Sequence, residues 1–245
     1  MTALHDMSSF HRLAWADVPN LLRAQPATLR DWLERRSSRT GFCVLVIVLA
    51  AGLYGAVMGS WRGEGQAIYT GIKLPLLFLL TTLGNALINS MLAPLLGLNL
   101  TARQCLNVLL MTFAIAALML GALAPVAAFV VWNNPSLTAA TTLASREYGL
   151  MQLTLFGFIA IAGVTGNVAL LPLLRETSGS ARVARRVLCA WLAVNLLLGS
   201  QICWVLRPFI WDPARPVEFL GPEYFRGSFF ETLFEAARRL IFGIG

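Results

Sequence analysis

The stretch 69–80, YTGIKLPLLFLL, carries Lys73, the only lysine in the chain. An ammonium at the head of an apolar run has two readings. It anchors the helix by reaching back to the water surface, or it belongs to a cationic mouth or docking site for an anion or an acidic segment. The other candidate side chains within the apolar parts are neutral amides and hydroxyls. Asn85 and Asn89 stand four apart and share a helical face, and Asn107 and Thr112 follow. Gln152, Thr154 and Asn167 come next, then Asn195, Ser200 and Gln201. Such groups bond one helix to another, or they line a polar path through a bundle; Asn85, Asn89, Asn107, Asn167, Asn195 and Gln201 are the candidates for that path.

What is missing limits the chemistry. No Asp or Glu occurs from Gly65 to Ser145, and the only histidines are His5 and His11. Proton coupling and aspartate-based or Ser–His proteolysis within a membrane therefore lack their titratable groups. Cys43, Cys105, Cys189 and Cys203 form no CxxC, have no histidine nearby, and read as small hydrophobes. There is no GxxxxGK[ST], no HExxH and no convincing GxGxxG. The residues point to a non-enzymatic protein without cofactor or metal.

The elements that position these residues follow from composition. Of 245 residues, 57% are hydrophobic and 13% charged, and the mean hydropathy is +0.69. Apolar stretches near the length of a bilayer crossing recur, which predicts an all-α polytopic membrane bundle. Five spans are expected, at about 42–60, 68–97, 104–132, 148–174 and 187–207. The net charge of +7 comes from 19 cations against 12 acids. The arginines flank the apolar runs, so the charge reads as topology and not as nucleic-acid binding.

The tail 1–41 and the connection 175–186 are arginine-rich, whereas the opposite connections hold only Arg62 and Arg146. The positive-inside rule then puts the N-terminus in the cytoplasm of a bacterial inner membrane and the C-terminus outside. In that topology Lys73 and Arg207 lie at one depth on one side, with Arg62, Glu64, Arg146 and Glu147 in the loops there. The apolar run 74–95 alone covers about 30 Å, so Lys73 is expected at its edge, free to snorkel. No cleavable signal peptide is read before the first run, so the first span is expected to be an uncleaved anchor.

Two amphipathic flanks are predicted. One is TLRDWLERR at 28–36. The other is 229–242, after a proline-rich stretch, with Ser228 and Glu231 as its capping box, lying on the outer surface or on the bundle. Gly52, Gly55 and Gly59 form a stripe with one GxxxG, which lets a neighbouring helix approach closely, within the chain or in a dimer. Pro94, Pro125, Pro172 and the GVTG of 163–166 are candidate helix breaks.

The segments YGAVMGS, QAIYTGIKLPLLFLL and GSQICWVLRPFI, followed by an aromatic tail, resemble uncharacterised bacterial five-span proteins labelled Yip1-like, over about 50–230. The resemblance implies a cytoplasmic N-terminus and an adaptor-like role without catalytic residues. The short N-terminal tail and the long aromatic tail depart from the eukaryotic pattern of that family. The expected function is a scaffold or accessory subunit, with the lipid bilayer, a second copy or other membrane subunits as partners. A channel for an ion or small solute is the alternative, and a lipid-modifying enzyme is third.

Overall fold

The computed structural model describes residues 18–19, 21–23, 38–134, 146–207, 209, 217–221 and 225–231, without the side chains of 38 and 146–148. Five helices are long and apolar enough to cross a membrane: Arg39–Gly59, Glu64–Leu95, Ala102–Trp132, Gly149–Ser178 and Ala181–Leu206. No strand occurs among the described residues, and the protein is an all-α membrane bundle.

The helices outrun the apolar stretches that predict them, because caps and not hydropathy set their ends. The fifth starts at Ala181, where Ser180 as N-cap accepts from Val183 N–H. Arg182, Arg185 and Arg186 therefore sit on its exposed first turns. The third starts on a full capping box of Thr101 and Gln104. The second opens at Glu64, whose carboxylate suits the positive end of the helix dipole. It closes on Gly97 at φ 89°, a left-handed position that favours glycine.

The proline expectations divide. Pro172 coincides with a break, since the fourth span is Arg146–Ala169 followed by Leu171–Ser178. Pro94 lies in the last turn of the second helix, and Pro125 stays inside the third. GVTG lies within unbroken helix. The first span carries an unforeseen π-helical turn at Ile47–Ala51 between Ser38–Val46 and Gly52–Gly59. The 28–36 helix lies outside the described residues, as does 232–242. The capping box of the last helix is formed, with Ser228 N–H donating to Glu231 Oε2 at 3.1 Å and Glu231 N–H to Ser228 Oγ at 3.1 Å.

The third span is central, touching the first, second and fourth, and the fifth lies along the second. Half of the third span's most apolar stretch is buried, against 17% of the fifth's. The fifth span therefore offers most surface to lipid or to another chain. Tyr54 of the first span is enclosed and donates to the Leu155 carbonyl of the fourth at 2.8 Å.

The glycine stripe faces the second span of the same chain. A Cβ on Gly55 would lie 2.5 Å from the Thr70 carbonyl oxygen, one on Gly59 2.4 Å from that of Gln66, and one on Gly52 3.2 Å from that of Gly71. Backbone meets backbone here, which only glycine allows. Gly59→Ala is expected to cost about 1–3 kcal/mol through overpacking, measured by unfolding in mixed micelles. Gly157→Ala, with nothing within 4 Å of its Cβ, should leave stability unchanged or slightly raised. Gly55→Leu should lower the folded yield and not shift a monomer–oligomer equilibrium on gel filtration.

Candidate functional site

The second span carries a polar stripe along one face. Gln66, Thr70, Lys73, Thr81, Asn85 and Asn89 recur at helical spacing, and none is more than 3% exposed. In an apolar surrounding such groups need partners from another segment. Most of the stripe meets the fifth span and the chain just after it.

The two helices run antiparallel in one register. A Cβ on Gly97 would stand 3.7 Å from Val183, Asn85 bonds Asn195, a Cβ on Gly199 would stand 3.8 Å from Thr81, and Thr70 bonds the Phe209 carbonyl. Each step toward the start of the second span is matched by a step toward the end of the fifth. That register puts Asn89 opposite Trp191, and Lys73 opposite Arg207.

At mid-depth the asparagines form a chain with one direction. Asn89 Nδ2 donates to Asn85 Oδ1, and Asn85 Nδ2 donates to Asn195 Oδ1. Asn195 Nδ2 donates to Asn167 Oδ1 at 3.2 Å, and Asn167 Nδ2 to the Gly163 carbonyl at 2.8 Å. Three spans that otherwise touch unevenly, the second, fourth and fifth, are joined at this level. At the start of the chain, Asn89 Oδ1 is buried without a hydrogen bond, and so is Trp191 Nε1 at the matching position in the register of the fifth span.

Two of the six predicted path residues are elsewhere. Asn107 accepts from Thr40 Oγ1 at 3.0 Å, tying the first span to the third beside a small pocket that Arg39 and Cys43 also line. Gln201 accepts from Phe229 N–H at 3.3 Å and so holds the tail. The hydroxyls of Thr112, Thr154 and Ser200 bond carbonyls one turn back in their own helices.

At the other end the expectation for Lys73 is corrected. It is 0% exposed and does not snorkel. Phe219, from beyond the fifth span, places its ring 5.1 Å from Nζ. The same ring meets Tyr69 edge-on at 5.4 Å. The Phe209 carbonyl accepts from Thr70 Oγ1 at 2.9 Å and Gln66 Nε2 at 3.2 Å.

Arg207 does face Lys73 in register, but its guanidinium lies 3.5 Å over the Trp204 ring. Arg62 is half-buried in the turn before the second helix, and Glu64 is exposed. Arg146 and Glu147 lie in the first turn of the fourth span's helix, and their side chains fall outside the described residues. Sequence reading missed Gln66, Thr70, Thr81 and Trp191. The spacing of the first three with Lys73, Asn85 and Asn89 was the available signal. No group of three or more His, Cys, Asp or Glu residues able to hold a metal occurs among the described residues.

Comparison with known protein families, curated proteins and solved structures returns no match.

Asn195→Ala removes the acceptor of Asn85 and the donor to Asn167. With about 0.6 kcal/mol for an average contact of this kind in a membrane bundle, and about 1.7 at most, a loss of about 1–2 kcal/mol is expected on unfolding in mixed micelles. Asn107→Ala, which breaks only the Thr40 contact, should cost less. A double-mutant cycle over Asn85 and Asn195 should show coupling, and one over Asn107 and Asn195 should not.

Proposed function

We propose that the protein is a non-enzymatic scaffold or accessory subunit of a complex in a bacterial inner membrane, with its N-terminus in the cytoplasm. One observation carries this reading. The amides at mid-depth bond one another across three spans, leaving only Asn89 Oδ1 of the chain without a partner, as in a bundle whose polar groups serve assembly. The sparse burial of the fifth span supports it, since a broad lateral face remains for another membrane chain. The resemblance to Yip1-like proteins points the same way. The arginine distribution supports the orientation.

The channel reading keeps one specific observation, the buried Asn89 Oδ1 and Trp191 Nε1 without hydrogen bonds. These are groups that a hydrated path would satisfy.

Affinity purification of the tagged chain from native membranes should return the same co-purifying membrane subunits in repeat preparations. Recovery of the chain alone every time would remove the proposal. In sealed liposomes the purified protein should leave K⁺, Na⁺, Cl⁻ and small neutral solutes as slow to cross as in empty vesicles, whereas selective flux would transfer the case to a channel. A C-terminal alkaline phosphatase fusion should be active and a C-terminal green fluorescent protein fusion dark. The reverse pattern would invert the orientation.

A further inference from the structure

The opening turns of the fifth span break two local rules at once. Its helix begins at Ala181 with no acidic residue in the first turn. Arg182, Arg185 and Arg186 stand there instead, at the positive end of the helix dipole. They also stand three and four positions apart, where like charges repel. All three are exposed, and no ion pair to any of them occurs among the described residues. Arg185 Nε donates to the Ala181 carbonyl at 3.3 Å, which holds its side chain back along the first turn. Topology does not demand this placement. The positive-inside rule needs cations on one side of a span and is indifferent to their position along a connection. Arg175, by contrast, sits in the last turn of Leu171–Ser178, where a cation suits the dipole. An anion seated among the three arginines removes both penalties, because it neutralises the guanidinium charges and suits a helix N-terminus. Glu176, the one carboxylate at that end among the described residues, belongs to the preceding helix.

Depth and continuity say which anion. Residues 187–206 cover about 30 Å as helix, which puts Arg185 and Arg186 at the level of lipid phosphates. Toward the membrane interior the exposed stripe continues through Cys189, Ala193, Leu196 and Leu197, all on one side of the helix. Ala184, Val187, Leu188 and Trp191, on the other side, are buried against the bundle. Cys189 and Ala193 are short, so a shallow apolar track leads from the arginines to the two leucines. A phosphate at the arginines and an acyl chain along the track match this stripe. A second copy matches it poorly. Two fifth spans packed in parallel about a two-fold axis would bring arginine against arginine.

We propose that Arg182, Arg185 and Arg186 seat the phosphate of an anionic phospholipid, with an acyl chain lying along Cys189 and Ala193. The lipid occupies one end of the fifth span's exposed face. The site depends on neither the scaffold nor the channel reading.

The full-length protein in a neutral detergent is titrated with phosphatidylglycerol or phosphatidylcholine of matched chains, and native mass spectrometry counts the lipids bound per chain. The first phosphatidylglycerol should bind more tightly than the first phosphatidylcholine. Each of Arg182→Gln, Arg185→Gln and Arg186→Gln should weaken it by about fivefold, the scale of one basic side chain at an anionic lipid surface. Only one cation is lost at a time, so the arginine balance that sets topology is largely kept. Arg175→Gln removes the same charge from the same connection but off the stripe, and should have a smaller effect. Cys189→Phe keeps every charge, fills the track on the lipid side, and should also weaken binding. Glycerol phosphate, a headgroup without chains, should not displace the lipid. Four results would overturn the proposal. Phosphatidylglycerol held no more tightly than phosphatidylcholine would remove the site. Arg175→Gln as damaging as the stripe substitutions, or Cys189→Phe without effect, would reduce the arginines to a diffuse field. Displacement by glycerol phosphate would name a soluble anion. Dimers abolished by the stripe substitutions would make the face an interface between copies.

Discussion

A helix with amides, hydroxyls and an ammonium along one face is unstable alone in hydrocarbon, where a polar group without a partner costs several kcal/mol. The second span is such a helix, and the bundle is arranged around that liability. Its polar groups extend from Gln66 to Asn89, so a partner must match it over most of a membrane crossing. The fifth span does so by running antiparallel in one register, from Gly97 against Val183 to Thr70 against Phe209. A shift by one residue would turn Asn195 away from Asn85 and put leucine or valine against the amides. The register is therefore set by polar chemistry, while apolar contacts with lipid-like surroundings discriminate little between alternatives.

The start of the second span meets a further constraint. There the first span's glycines approach so closely that carbonyls of Thr70 and Gln66 occupy the space where side chains would stand. The same two residues use their side chains on the Phe209 carbonyl. Backbone packing against the first span and the bonds to Phe209 thus converge on a single turn of helix, where a Cβ on Gly59 would stand 2.8 Å from the Thr70 hydroxyl itself. A displacement of that turn by the first span is also a displacement of the acceptor geometry at the tail. Such coupling needs no separate pathway, because both sets of contacts hold the same rigid turn.

The existence, order and approximate limits of the five spans were legible, because length and hydropathy respond to the bilayer directly. Helix ends were not, since Ser180 and Thr101 cap turns outside the apolar runs. The paired face of Asn85 and Asn89 could be read from their spacing. That Asn195 and Asn167 join them, while Asn107 and Gln201 do not, depends on the angular placement of separate helices, which spacing along one helix leaves undetermined. The glycine stripe was visible as a close-approach surface, but its partner was not, because GxxxG specifies a distance of approach and not a neighbour.

Lys73 shows the same division between depth and direction. Its depth follows from counting residues at 1.5 Å each, and at that depth a lysine on a lipid-facing surface would reach the headgroups at little cost. The direction it takes is inward, on the stripe that the fifth span requires. There Phe219 meets the ammonium with its ring face, 5.1 Å away, a contact that an aromatic ring makes without itself suffering from burial. A desolvated contact of this kind contributes about 2 kcal/mol, and Arg207 lies over Trp204 at the same level. A ring face attracts a cation through its quadrupole, so each contact offsets part of the cost of drawing the cation out of water. The contact ties the depth of Lys73 on the second span to the placement of Phe219 beyond the fifth, at the same end where Thr70 and Gln66 bond the Phe209 carbonyl.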